Sequence, residues 1–248
     1  LEAEGKSKER AEQLIEVVER IVSTAPDKFA IALTPADVES HFERGLVSLP
    51  MGMENGSPIE GDLENLQYFF DRGIRYITLA HGLSNHISDS SYDDNKAHGG
   101  LSEFGREVVA KMEDLGILID ISHVSDDAFW QVVEMVDVPV IASHSSARFF
   151  TPGFERNMSD EMITALADNG GVIQINFGSS FITKAARDYG NARGEAMEAF
   201  SADIDGDLTD AQLDEFSRMF ESENGPYPYA SLDQTLDHFD HVVELTGG

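Results

Sequence analysis

Two Ser-His pairs, Ser122-His123 and Ser143-His144, each stand at the end of a short apolar run, 117–121 and 138–142. Imidazole suits zinc, and two histidines joined by one carboxylate make a catalytic set with an open coordination position. A lone histidine in such a place is commonly a capping or hydrogen-bonding residue. Two in equivalent places put a metal or catalytic site on an equal footing with that reading. The third donor should be a carboxylate from another strand end, and Glu54 closely follows the run 46–52. The chain has no cysteine, so disulfides and thiolate metal sites are excluded and any metal must use His, Asp and Glu.

The elements that would position these side chains are legible in the periodicity. Runs 117–121 and 138–142 are β-rich and too brief for buried helices, and 126–136 between them carries Ala128, Val132, Val133 and Val136 on one helical face. That is strand–helix–strand, the crossover unit of a parallel sheet, whose ligands bind at the carboxyl ends of the strands. The same reading gives helices over 9–22, 62–73, 102–115, 159–169 and 231–245. The segment 32–45 is read as helical, with Thr34 as N-cap, Pro35 at the first helical position and Gly45 as the stop. Further strands fall at 46–52, at 74–80 ending in His81, and at 171–177. The loop 82–100 is long for a compact domain, and such loops are usually functional; His86 and His98 lie in it. His41, His238 and His241 lie on helices and are read as surface or packing residues.

The expected fold is therefore α/β, a TIM-like (β/α) barrel of which about five of the eight units are visible. One barrel domain over 1–248 is expected, with a solvated helical insertion at 186–228 that can be shortened without loss of the fold. That insertion contains DIDGDLTD (203–210), whose Gly position and missing final Glu do not fit a calcium loop. No Gly-rich phosphate fingerprint follows any strand, which disfavours a dinucleotide fold.

With 248 residues, 41% of them hydrophobic, the chain can bury a large core. A formal charge of −29 argues against nucleic acid as a partner, because phosphate binding needs a basic surface. No apolar stretch approaches the roughly 20 residues that span a bilayer. The sequence does not begin with Met, so a targeting signal is not read from it, and cytoplasmic and exported locations both stay open.

The segments GIRYITLAH (73–81), GLSEFGREVVAKMEDLGILIDISHVSDDAFW (100–130), PVIASHSSAR (139–148), ERNMSDEMITALADNGGVIQINF (155–177) and HFDHVVEL (238–245) together resemble the membrane (renal) dipeptidase family of zinc metallopeptidases. The likeness runs from about the first residue to Leu245, with the acidic insertion the least typical part. It implies dipeptide hydrolysis by a metal-bound hydroxide at a two-zinc centre. In that picture Glu54 bridges the metals, His123 and His144 bind the second, His81 contacts substrate and stabilises the oxyanion, and Arg156 binds the substrate's polar groups. A homodimer is also what the resemblance implies. Two departures follow. The family's first-strand His-x-Asp pair is missing, and the chain stops before the family's late proton-transferring Asp. The ligands present thus predict one zinc, in a chain expected to be incomplete at both ends. The alternatives are a related barrel hydrolase acting on another small amide, and a non-catalytic barrel remnant.

Overall fold

The computed structural model describes residues 6–202, 204 and 206–248; Asp203 and Asp205 of the DIDGDLTD stretch lie outside the described residues, as do 1–5. The chain divides into two compact units, Leu1–Ser143 with Thr164–Ile173 and His144–Ile163 with Gln174–Gly248. In order along the chain come α1 (Ser7–Thr24), β1 (Phe29–Ile31), α2 (Pro35–Glu43), β2 (Val47–Leu49), β3 (Met51–Glu54), α3 (Glu64–Asp71) and β4 (Ile74–Thr78). Then follow α4 (Glu103–Leu115), β5 (Leu118–Asp120), α5 (Asp126–Met135), β6 (Ile141–Ser145), α6 (Asp160–Asp168) and β7 (Val172–Ile175). Four helices end the chain: α7 (Ser179–Ile182), α8 (Lys184–Ser201), α9 (Asp210–Asn224) and α10 (Leu232–Thr246).

Strands β3 to β7 form one five-stranded sheet in sequence order, and the pairs β3–β4, β4–β5 and β5–β6 are parallel. Sequential parallel strands alternating with helices are the order a (β/α) barrel requires. The expected single strand 46–52 is instead two strands in different sheets, because β2 pairs in parallel with β1 and β3 with β4. Pro50 stands at the break, where a residue without an N–H cannot continue a ladder. The strand expected at 138–142 is shifted and begins at Ile141, beyond Pro139. His144 consequently lies inside β6 instead of after it.

Local chemistry explains why these helices start where they do. Thr34 closes a capping box with Asp37, and Ser102 and Ser125 accept from Gly105 N and Ala128 N at the heads of α4 and α5. Their inward faces supply the core of the first unit: Leu66 and Phe69 of α3, Val108, Val109 and Met112 of α4, and Phe129 and Val132 of α5 are all fully buried. Each such side chain contributes about 1.5–3 kcal/mol relative to exposure. Gly105 of α4 is required by a close approach, since a Cβ there would sit 2.0 Å from Ile87 O in the long loop.

In the second unit α7 packs on α8 and α10, and α8 on α9. The acidic segment is helical, but it is not solvated throughout. Phe216 and Phe220 are buried, and rings of Phe200 and Tyr189 close on them at 5.4 and 5.2 Å. Phe216 and Phe220 are four apart on α9 and so share a face, which is how an acidic segment poor in large aliphatics still builds a small core. These rings all belong to the segment itself and join α8 to α9. Among the described residues no helix is long and apolar enough to cross a membrane.

Candidate metal centre

The register of the sheet sets one row of residues side by side: Glu54 opposite Thr78, Thr78 opposite Asp120, and Asp120 opposite Ile141. Paired residues of adjacent strands project to the same face. Glu54 ends β3, Thr78 ends β4 three residues before His81, and Asp120 ends β5 three residues before His123. The carboxyl ends of three neighbouring strands therefore deliver a carboxylate and two imidazoles to one place in the first unit.

Glu54 Oε1 lies 3.3 Å from His123 Nε2 and 3.5 Å from His81 Nε2, and the two imidazole rings are 4.4 Å apart. Glu54 and His81 are half-exposed, whereas His123 is 7% exposed. His123 has φ +69° and Asn55, the residue after Glu54, has φ +94°. Non-glycine residues in the left-handed region carry strain and cluster at functional sites. The surrounding loop holds them: His123 O accepts from Ser91 N, Asn85 donates to Asn55 Oδ1 and Leu79 O, and Ser90 Oγ donates to His81 O. Asp89, fully buried, accepts from His98 N and Gly100 N and so folds the loop 82–100 back on itself.

The donor chemistry fits a divalent metal. Two donors about 2.0–2.1 Å from one ion at a tetrahedral angle stand about 3.3 Å apart, the spacing a carboxylate oxygen and an imidazole nitrogen take on zinc. Beside them the Tyr76 ring lies over Gly52, where an added Cβ would come within 1.9 Å of it. Burial, with the negative charges of Asp120 and Glu54, pushes the Tyr76 hydroxyl above its usual pKa. Burial pushes His86 below the ordinary histidine value. A cavity of about 1150 Å³ opens beside Glu54 and His81, walled by Leu14, Ile15 and Val18 of α1 and by Met51 and Met53.

His144 follows Ser143 on β6 and belongs to the second unit. Its carbonyl accepts from Arg156 Nη2 at 2.7 Å, while Arg156 Nη1 donates to Ser145 Oγ at 2.8 Å. Arg156 is 2% exposed, with its guanidinium 5.4 Å from the centre of the Phe181 ring. The histidines read as surface or packing residues divide. His41 and His238 are buried, and His241 pairs with Asp160 at 2.8 Å. The spacing His238-Phe239-Asp240 is a His-x-Asp, but it lies on α10, where His238 Nδ1 accepts from Ala147 N and Nε2 meets Ile182 O.

Sequence reasoning passed over Asp120, Thr78, Tyr76 and Asp89. Asp120 left a signal: one acid inside the otherwise apolar run ILIDI, where a buried charge must find partners.

Parallel strands in sequence order, with carboxylate and imidazole at their carboxyl ends, define an α/β protein with a metal-type site. The chain belongs to the membrane dipeptidase family, peptidase family M19, whose sequence profile matches residues 2–248. It is 33% identical over 171 residues to an uncharacterized dipeptidase of Schizosaccharomyces pombe, covering 69% of this chain and 42% of that protein. It is 35% identical over 165 residues to dipeptidase tcpJ of Claviceps purpurea, covering 66% and 39%. The chain thus spans about two fifths of the length of these relatives. Among solved structures it is similar to the probable dipeptidase PvdM of Pseudomonas aeruginosa, with TM-score 0.79, 26% identity, and 94% and 63% of the two chains covered. A metallo peptidase of Rhodobacter sphaeroides, liganded with a phosphinate mimic of L-Ala-D-Ala, shares the fold at TM-score 0.76 and 22% identity, covering 99% and 60%.

Proposed function

We propose that the protein hydrolyses dipeptides with zinc held by Glu54, His123 and His144. The observation that carries this reading is the Glu54 carboxylate 3.3 Å from His123 Nε2, at parallel strand ends, in a chain of a dipeptidase family. His144 is the second imidazole by the family resemblance, which makes the ligand set one carboxylate and two ring nitrogens. Bound there, zinc supplies an acidified water as nucleophile and polarises the scissile carbonyl. His81 is half-exposed beside Glu54, so its ring N–H can donate to the oxygen on which charge develops in the transition state. The adjoining cavity has room for a dipeptide, and its apolar wall favours uncharged side chains. The ligand of the Rhodobacter sphaeroides metallo peptidase makes L-Ala-D-Ala a natural member of the test panel.

The test is hydrolysis of L,L- and L,D-dipeptides by the zinc-loaded and the chelated protein. Zinc-dependent cleavage is expected, and His81→Asn should lower kcat by about 10²–10³-fold with zinc retained. Cleavage unaffected by chelation, or no cleavage of any dipeptide by the zinc-loaded protein, would overturn the reading.

A further inference from the structure

Asp120 is a fully buried carboxylate at the end of a strand whose other residues are apolar. Its Oδ2 accepts from Thr78 Oγ1 and Ser143 Oγ, both at 2.5 Å, and its Oδ1 accepts from Ser122 N at 3.0 Å and Ser143 N at 2.9 Å. These are two hydroxyls and two backbone amides, and none of the four donors is a cation. A buried carboxylate is costly even when fully hydrogen-bonded, and an apolar residue would usually serve packing as well. The partners show what the group achieves. Thr78 closes β4, Ser122 immediately precedes His123, and Ser143 immediately precedes His144. The bond from Ser122 N is an Asp side chain capturing the amide two residues on, a turn that bends the chain out of the strand. Beyond it His123 takes its left-handed backbone.

We propose that Asp120 is a positioning residue for the metal donors, holding Ser122 and Ser143 so that His123 and His144 are presented in fixed directions. It acts through the residues that precede them. The inference rests on the reading of Glu54, His123 and His144 as ligands. Partners that hydrogen-bond a metal ligand directly typically shift affinity by about 10–100-fold, and a group acting one residue further back shifts it less.

The experiment measures zinc affinity by chelator competition and the visible spectrum of the Co²⁺-substituted protein, each beside thermal unfolding of the metal-free chain. Asp120→Ala should weaken zinc binding by about tenfold, the low end of the range for direct partners, and alter the Co²⁺ spectrum. Asp120→Asn should restore much of both, because its oxygen can still accept from the two amides while its NH₂ faces two hydroxyls that can rotate to accept. Ser143→Ala removes one hydroxyl donor and leaves the backbone intact. It covers the case in which Asp120→Ala does not fold, and should weaken zinc binding several-fold with little change in metal-free unfolding. Wild-type affinity and spectrum in a folded Asp120→Ala, or in Ser143→Ala, would overturn the proposal. So would Asn and Ala behaving alike. Glu54→Gln separates the two ideas. If it abolishes binding while the Asp120 and Ser143 variants bind normally, only the positioning role fails. If the wild-type chain binds no zinc, the ligand reading fails first and takes the positioning role with it.

Discussion

Arg156 shows how one side chain can be legible in type and not in surroundings. The resemblance gives it the substrate's polar groups, whereas it donates to His144 O and Ser145 Oγ and is 2% exposed. Leaving buried acceptors unsatisfied costs roughly 1–3 kcal/mol. Arg156→Ala should therefore lower the unfolding free energy by an amount of that order, read by denaturant titration. A variant that unfolds like wild type and only raises KM would assign Arg156 to substrate alone. Glu54, His81 and His123 could be found in the sequence because each follows an apolar run short enough to be a strand. Asp120 could not be, because its role depends on Thr78 and Ser143, 42 and 23 residues away, which no local pattern connects.

At the level of elements, helix starts were legible and strand limits were not. Caps are local chemistry: Thr34 with Asp37, Ser102 with Gly105, Ser125 with Ala128. Strand limits follow from which neighbour supplies the ladder, so 46–52 divides at Pro50 and β6 begins beyond Pro139. Strand β3 has a further constraint invisible in sequence, the Tyr76 ring over Gly52. Gly52→Ala must displace that ring or the strand. It should cost about 1–3 kcal/mol of stability, the usual range for overpacking, with Gly52→Ala in a Tyr76→Ala background recovering part of it. No recovery in the double variant would mean that the ring is not the obstacle. Helix α10 makes a prediction of its own through His238, fully buried and held below its ordinary pKa by burial, with His241 adding and Asp237 and the Ile182 carbonyl opposing. A histidine depressed in the folded state resists protonation that the unfolded chain accepts, so stability is complete above about pH 6.5 and falls as pH drops below it. His86 has the same sign. His238→Gln should shallow the acid-side loss of stability relative to wild type, and an unchanged slope would remove His238 as a source.

At the scale of the whole molecule, the class of fold was readable because alternation of short strands with amphipathic helices repeats along the chain. The two compact units were not readable, since nothing in composition marks a boundary at Ser143. The aromatic core of α8 and α9 was also missed: Tyr189, Phe200, Phe216 and Phe220 are spread over two helices among many acids. The site reading rests on the donors Glu54, His123 and His144, supplied by β3, the turn after β5, and β6. The most direct test is zinc bound per chain at equilibrium dialysis, for the wild type and for Glu54→Gln and His123→Ala. Oxygen and nitrogen donors in this number predict about one zinc per chain in the wild type and none retained by either variant. A wild-type chain that binds no zinc, or a Glu54→Gln chain that keeps the wild-type complement, would contradict the assignment.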